Sequence, residues 1–398
     1  MKKDLQFGSL CVHDFTKKIN NHPHQLPIYA TSSFAFENLE QGMDIFSGKK
    51  EGHLYSRYGN PTVETVADKI ANLETFGLDM EAKCFLFSSG MAAISSLLMA
   101  SVKSGDQILT QNNLYGGTTY FFQQILEPLG VETIFADFSN LENVKALLEK
   151  NKNVKMIYLE SPANPTLACV DLEKISALAQ SFGVKTAIDN TFSTPYLQQP
   201  FRFGIDFVIH STTKFLNGHG NSISGAVIGK DIDFMLEKVW KVMKLVGTNS
   251  NAMDAWMLNN GLKTLELRMN RHCENADALA RFLQKNKKVA HVNYPSLESH
   301  PDFDLAKKQM RGSGGMLSFE LEGGFDSAVK FMDRLQFCTI APTLGDVDTL
   351  IVHPASMSHT DIPKAEREAV GITDGLIRVS VGIENVEDIL GDVGEAIG

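Results

Sequence analysis

The stretch IDFVIHSTTKFLNGHG leads from an apolar run into Ser211, Thr212 and Thr213 and then into Lys214. Ligands of open α/β sheets bind outside the carboxyl ends of the strands, so a lysine just past a strand stands where a functional amine is needed. Such an amine forms a Schiff base with an aldehyde when its surroundings favour the neutral form. The competing reading is a solvated loop lysine, the commonest fate of this residue type. In VKTAIDNTF, Asp189 closes another apolar run and is followed by Asn190 and Thr191. A buried carboxylate needs a cation or donors to compensate it, and a protonated ring nitrogen on an aldehyde cofactor is one such partner. An Asp capping a helix is the alternative. In FLFSSGMAAISSLL, the segment Ser88, Ser89 and Gly90 opens a helical pattern. N–H groups at a helix start bind anions and glycine lets backbone approach closely, which makes Gly90 and Met91 candidates for a phosphate. A simple tight turn fits the same residues. Pyridoxal phosphate has an aldehyde, a ring nitrogen and a phosphate, the three groups these segments suit.

The elements that must position these residues are short apolar runs: CFLF at 84, DQIL at 106, VETIF at 131, VKMIYL at 154, VKTAID at 184, FVIH at 207 and GAVIG at 225. Helical patterns such as NLENVKALLEK and DLEKISALAQSFG separate them, and this alternation predicts parallel strands with crossover helices. Residues 63–250 are therefore expected to form a large, mostly parallel α/β domain. From Trp256 a long helical stretch, GLKTLELRMNRHCENADALARFLQK, leads to GMLSFEL and LIRVSV, which predicts a smaller C-terminal α+β domain over 251–398. Residues 1–62 are rich in turn and polar residues but carry Tyr29, Phe34, Phe36 and Tyr55. Disordered segments rarely hold so many aromatics, so this part reads as an arm that packs on a neighbouring subunit rather than as a free tail.

Composition narrows the function classes. The 398 residues are 43% hydrophobic and 21% charged, as in a folded globular protein. The formal charge of −10 offers no footprint for nucleic acid. Cys11, Cys84, Cys169, Cys273 and Cys338 are widely spread, with no paired spacing for a metal or a disulfide framework. The N-terminal Lys2 and Lys3 are followed by Asp4 and Gln6 without the apolar run of a signal peptide, so the cytoplasm is the expected location. Phe85 to Val102 is uncharged but contains Ser88, Ser89, Gly90, Ser95, Ser96 and Ser101. It reads as a strand entering a buried helix, not as a membrane span.

Tyr55-Ser56-Arg57, Gly59-Asn60-Pro61-Thr62, Ser88-Ser89-Gly90-Met91, Leu114-Tyr115-Gly116-Gly117-Thr118, Glu160-Ser161-Pro162-Ala163-Asn164-Pro165, Ala187 to Thr191 and Ser211-Thr212-Thr213-Lys214 succeed one another along the chain. In this order they resemble the Cys/Met-metabolism, or trans-sulfuration, family of pyridoxal phosphate enzymes, and the resemblance covers almost the whole chain. It implies a fold type I transferase fold. It further implies Lys214 as the Schiff-base lysine and proton carrier, with Tyr115 stacked on the cofactor ring and exchanging a proton with the leaving group. Gly90, Met91, Ser211 and Thr213 would hold the phosphate, joined by Tyr55 and Arg57 from a neighbouring subunit. Asn164 would meet the phenolic oxygen, Asp189 the ring nitrogen, and Arg378 with Thr343 the substrate. The implied assembly is at least a dimer, with a dimer of dimers as the family's usual form. Taken without the resemblance, Arg378 fits a surface arginine and Tyr115 an ordinary packing residue.

Members of this family differ in the fate of the intermediate once the γ substituent has left. Methionine γ-lyases are similar to Tyr-Gly-Cys-Thr where this chain has Gly117 third, and they carry a Lys-Asp pair that is missing near KVMKLVGTN. Cystathionine-handling members tend to have Glu-Ser-Leu-Gly where this chain has Pro342-Thr343-Leu344-Gly345. The segment His353 to His359 resembles the methionine-lyase and sulfhydrylase branches. The expectation is γ-elimination on a sulfur amino acid such as methionine, homocysteine or cystathionine. The alternative is γ-replacement on O-acetyl- or O-succinylhomoserine. A non-catalytic cofactor-binding protein would be expected to lack Lys214, Tyr115 or Arg378, and all three are present.

Overall fold

In the computed structural model, which describes residues 5–13, 23–358, 360 and 363–398, the apolar runs become strands. Lys2, Lys3, Asp4 and His359 lie outside the described residues. Strands β1 (Lys83–Phe87), β2 (Gln107–Gln111), β3 (Glu132–Ala136), β4 (Val154–Glu160), β5 (Lys185–Asp189), β6 (Phe207–His210) and β7 (Gly225–Gly229) form one sheet in the order β1-β7-β6-β5-β4-β2-β3. Successive residues of a strand face opposite sides, and both sides are covered: Met156 and Tyr158 enter one apolar cluster, Ile157 and Leu159 the other. This two-sided burial explains why the strands read as continuous apolar runs.

The crossover helices start on side-chain caps. Asn140 caps Leu141–Lys150 and Asp171 caps Leu172–Ser181, each taking an N–H three residues on. One strand departs from the expected pattern: GAVIG, as β7, is antiparallel to both β1 and β6. Residues 211–224 contain no helix. A parallel return needs a crossover of a dozen or more residues, usually helical, so the chain comes back antiparallel. Because β7 opposes both neighbours, β1 still runs with β6, and β1, β2, β4, β5 and β6 end at the same edge.

The second sheet contains β8 (Val289–Asn293), β9 (Met316–Leu321), β10 (Thr339–Ile340), β11 (Leu350–Val352) and β12 (Leu376–Ser380) in the order β10-β11-β12-β9-β8. The helical stretch predicted from Gly261 begins in the last turn of one helix, Ala252–Leu262, and after a break at Lys263 and Thr264 continues as a second, Leu265–Gln284. The first packs on Pro61–Glu74 of the large domain, while the second reaches β8 and β9. The 250/251 boundary thus falls just before a helix that still lies on the large domain, and the 62/63 boundary falls in the first turn of Pro61–Glu74. Phe7, Leu10 and Cys11 are buried in the chain's own core, whereas Leu39, Met43 and Phe46 of the helix Leu39–Phe46 stay exposed. Among the described residues, no helix is long and apolar enough to cross a membrane.

A β-carbon on Gly225 would stand 2.2 Å from the Ser89 carbonyl oxygen and 2.9 Å from the Gly90 α-carbon, so β7 and the turn after β1 touch through bare backbone. Gly225→Ala is expected to cost about 1–3 kcal/mol by overpacking, read from the urea unfolding midpoint. An unchanged midpoint would mean that this turn yields freely.

Candidate active site

The strand ends surround a cavity of about 540 Å³. On one side Ser89 caps the helix Gly90–Ser101, its Oγ accepting the Ala92 N–H at 3.0 Å. The first N–H groups of that helix have no acceptor within it and open toward the cavity end lined by Gly90, Met91, Ser211 and Thr213. A β-carbon on Gly90 would lie 2.7 Å from that of Ser211, so the close approach of these two segments requires glycine. Thr191 ties the floor together: its N–H donates to Asp189 Oδ1 at 3.0 Å and its Oγ1 accepts the Ser211 N–H at 2.8 Å. Thr213 Oγ1 donates to the Ser224 carbonyl at 3.1 Å.

Two carboxyls and two cations face this space. Glu160 and Asp189 end β4 and β5 and are register partners. By strand alternation both lie on the Tyr158–Ala187 side of the sheet. Burial holds the Asp189 carboxyl above its ordinary value, against the hydrogen bonds from Thr191. Burial and the neighbouring Asp189 raise the proton affinity of the Glu160 carboxyl, while the Asn164 and Tyr115 backbone N–H groups oppose that shift and favour the ionised form. Burial and the Arg378 charge lower the Lys214 amine from its ordinary value, which favours the neutral nucleophile. Lys214 Nζ donates to Thr343 Oγ1 at 2.9 Å. Arg378, central in the second sheet on β12, is buried, with its Nη2 donating to the Thr343 carbonyl at 3.0 Å and its Nη1 to Asn164 Oδ1 at 3.3 Å. Among the described residues its Nε has no partner, a buried donor aimed at no protein acceptor. The surface reading of Arg378 is thereby overturned, because β9 and β11 flank its strand.

The structure thus brings Gly90, Met91, Tyr115, Asn164, Asp189, Ser211, Thr213, Lys214 and Arg378 to one cavity, with Thr343 joined to it through Lys214. Tyr55 and Arg57 do not join them within one chain. The Arg57 guanidinium stacks on Tyr58 at 5.0 Å and on Tyr55 at 5.6 Å, and it lines a separate cavity beside Trp240. Tyr115 leans its ring over Gly117, where an added β-carbon would lie 2.6 Å from Cε1. Pro342, Leu344, Ile223 and Tyr120 add a largely apolar lining. Glu160, Thr191 and Ser224 received no role from the sequence. Glu160 ends an apolar strand just as Asp189 does, and that signal was sufficient to find it.

These residues fit pyridoxal phosphate: a glycine-lined anion end, a buried acid for its ring nitrogen, an amine depressed by burial, and an unpartnered guanidinium N–H for the carboxylate of an amino acid. The five cysteines suit no such role; burial pushes the Cys11 thiol up to about 12 and the Cys273 thiol up to about 11.

Comparison with known proteins agrees with this reading. The chain is 45% identical over 398 residues to an L-methionine gamma-lyase of Fusobacterium nucleatum, covering 100% of this chain and 99% of that one. It is 41% identical over 373 residues to a cystathionine beta-lyase of Lactococcus lactis, covering 94% and 93%. A putative O-acetylhomoserine (thiol)-lyase of Campylobacter jejuni, solved with N'-pyridoxyl-lysine-5'-monophosphate, superposes with a TM-score of 0.91 at 30% identity, covering 99% and 100%. The family model for Cys/Met metabolism PLP-dependent enzymes matches residues 9–398, and the chain belongs to that family, with fold type I architecture and pyridoxal phosphate as its cofactor.

Proposed function

We propose that this enzyme carries out γ-elimination on a sulfur amino acid, methionine or homocysteine ahead of cystathionine, releasing a thiol, a 2-oxo acid and ammonia. The carrying observation is the division of the cavity. A buried guanidinium with a free Nε–H stands ready for the substrate carboxylate, while Tyr115, Ile223, Pro342 and Leu344 give an apolar lining suited to an uncharged S-substituent. The relatives of similar length that act as L-methionine gamma-lyases support the same choice.

Bound pyridoxal phosphate supplies the electron sink that acidifies the protons on the substrate's carbons. Lys214, whose proton affinity is lowered by burial and by Arg378, takes and returns those protons. Arg378 binds the carboxylate through its fork and holds Asn164 in place by the Nη1 bond. Thr343 takes the Lys214 amine as acceptor and so fixes its direction. The Tyr115 hydroxyl gives a proton to the departing sulfur. In this reading Tyr55 and Arg57 complete the cavity of a neighbouring subunit, the unit is at least a dimer and fully a dimer of dimers, and the protein works in the cytoplasm.

Incubation with methionine, homocysteine, cystathionine and O-acetylhomoserine, each with and without sulfide, separates the branches. 2-Oxobutyrate released without sulfide supports elimination, whereas homocysteine formed only from the activated homoserine plus sulfide assigns the enzyme to γ-replacement. Lys214→Ala is expected to abolish both the activity and the visible-edge absorbance that otherwise survives gel filtration.

Removing the Arg378 charge relieves its repulsion of the protonated Lys214 amine, so Arg378→Met should raise the Lys214 pKa. The rate at which cofactor-free protein takes up pyridoxal phosphate should then rise with pH over a higher range than in the parent; an unmoved profile would remove Arg378 from this role. Mixing inactive Arg57→Ala and Lys214→Ala proteins under subunit exchange is expected to restore up to about a quarter of the parental activity, since each hybrid dimer regains one intact site. No recovery would place Arg57 outside the neighbouring cavity.

A further inference from the structure

Glu160 lies at the end of β4 and is only 6% exposed, and its two oxygens are used separately. Oε2 accepts the Tyr115 N–H at 2.7 Å and Oε1 accepts the Asn164 N–H at 2.9 Å. Tyr115 begins the helix Gly116–Phe121, while Asn164 sits in the turn after β4 and holds Arg378 by its side-chain oxygen. Gln111 fixes the strand end beneath: its Oε1 accepts the Glu160 N–H at 3.0 Å and its Nε2 donates to the Glu160 carbonyl at 2.9 Å. A carboxylate is acceptor-only at both oxygens, so it can take two converging backbone donors where an amide cannot. Burying an acid next to Asp189 is costly, and such groups persist where their bonds organise what surrounds them.

We propose that Glu160 is a positioning residue for the elimination reaction, a two-point clamp that sets the Tyr115 ring over the cavity and the Asn164–Arg378 pair at its carboxylate end. This rests on the elimination reading above, in which Tyr115 and Arg378 meet the substrate. Glu160 touches neither substrate nor reacting atoms in this role; it acts through the two backbone N–H groups. Glu160→Gln keeps the length and the packing but offers one acceptor, and its NH₂ confronts the other N–H.

The test is a pair of measurements on purified Glu160→Gln protein. Hydrogen exchange read by mass spectrometry, with and without cofactor, should show faster exchange in the peptides containing Tyr115 or Asn164 and unchanged exchange in the β5 and β6 peptides. Turnover should fall roughly 10- to 100-fold in kcat, as expected when a catalytic group is misplaced by about an ångström, with the cofactor absorbance retained. In a Tyr115→Phe background the same substitution should cost less in kcat than it does in the parent, the remaining loss coming from the Asn164–Arg378 arm alone. Unaltered exchange at both peptides, or losses that multiply fully with Tyr115→Phe, would overturn the proposal. If Tyr115→Phe alone leaves turnover intact, the elimination reading of Tyr115 fails, while the exchange result still decides the clamp. Glu160→Asp, which keeps the charge but loses reach, carries the same measurements should the glutamine variant not fold. Failure of both to fold would reduce Glu160 to a structural support and end the proposal.

Discussion

Lys214 Nζ, Thr343 and the Arg378 guanidinium form one hydrogen-bonded line from the loop after β6 in the first sheet to the middle of β12 in the second. Thr343 serves both ends, giving its hydroxyl oxygen to the amine and its carbonyl to the guanidinium. Asn164 extends the line back to the end of β4. The relative placement of the two sheets therefore determines the distance between the amine that moves protons and the guanidinium that would hold a carboxylate. Close packing beneath stiffens this junction: a β-carbon on Gly345 would lie 2.6 Å from the Phe215 nitrogen, so the segment carrying Thr343 rests directly on the backbone that carries Lys214. Two like charges in a buried space repel, and the lowered proton affinity of Lys214 results from that arrangement as well as from burial.

The opposite wall carries the two acids. Asp189 and Glu160 are brought together by the register of two parallel strands, and each is satisfied by backbone N–H groups that strand ends and helix starts leave unpaired. The cavity is thus polarised, with acids at the β4–β5 edge and bases toward the second sheet. A zwitterionic amino acid or a cofactor bearing both a phosphate and a basic ring nitrogen meets a field already ordered for it, so little reorganisation accompanies binding.

Much of this was legible because chemistry collects at strand ends, and strand ends are visible as apolar runs broken by Ser, Thr, Asp or Lys. Lys214, Asp189 and Gly90 were found on that rule. Arg378 was not, since its burial depends on strands β9 and β11, which come from segments separated by long stretches of chain. The antiparallel course of β7 was hidden because GAVIG is as apolar as its parallel neighbours; only the lack of a helix in 211–224 betrays it. The break at Lys263 and Thr264 was hidden for a related reason, as neither Gly nor Pro marks it. Tyr55 and Arg57 are absent from the cavity within one chain, and no local pattern states which subunit a side chain serves.

The Tyr115 ring resting on Gly117 links two positions that a residue-by-residue comparison treats as separate. Any side chain at 117 competes with the ring for the same volume, so a cysteine there and the present ring pose are mutually exclusive. A change at 117 is then an epistatic event, with a meaning only together with the rotamer of 115. A transplanted cysteine would arrive in a background whose aromatic neighbour has settled into the space it needs.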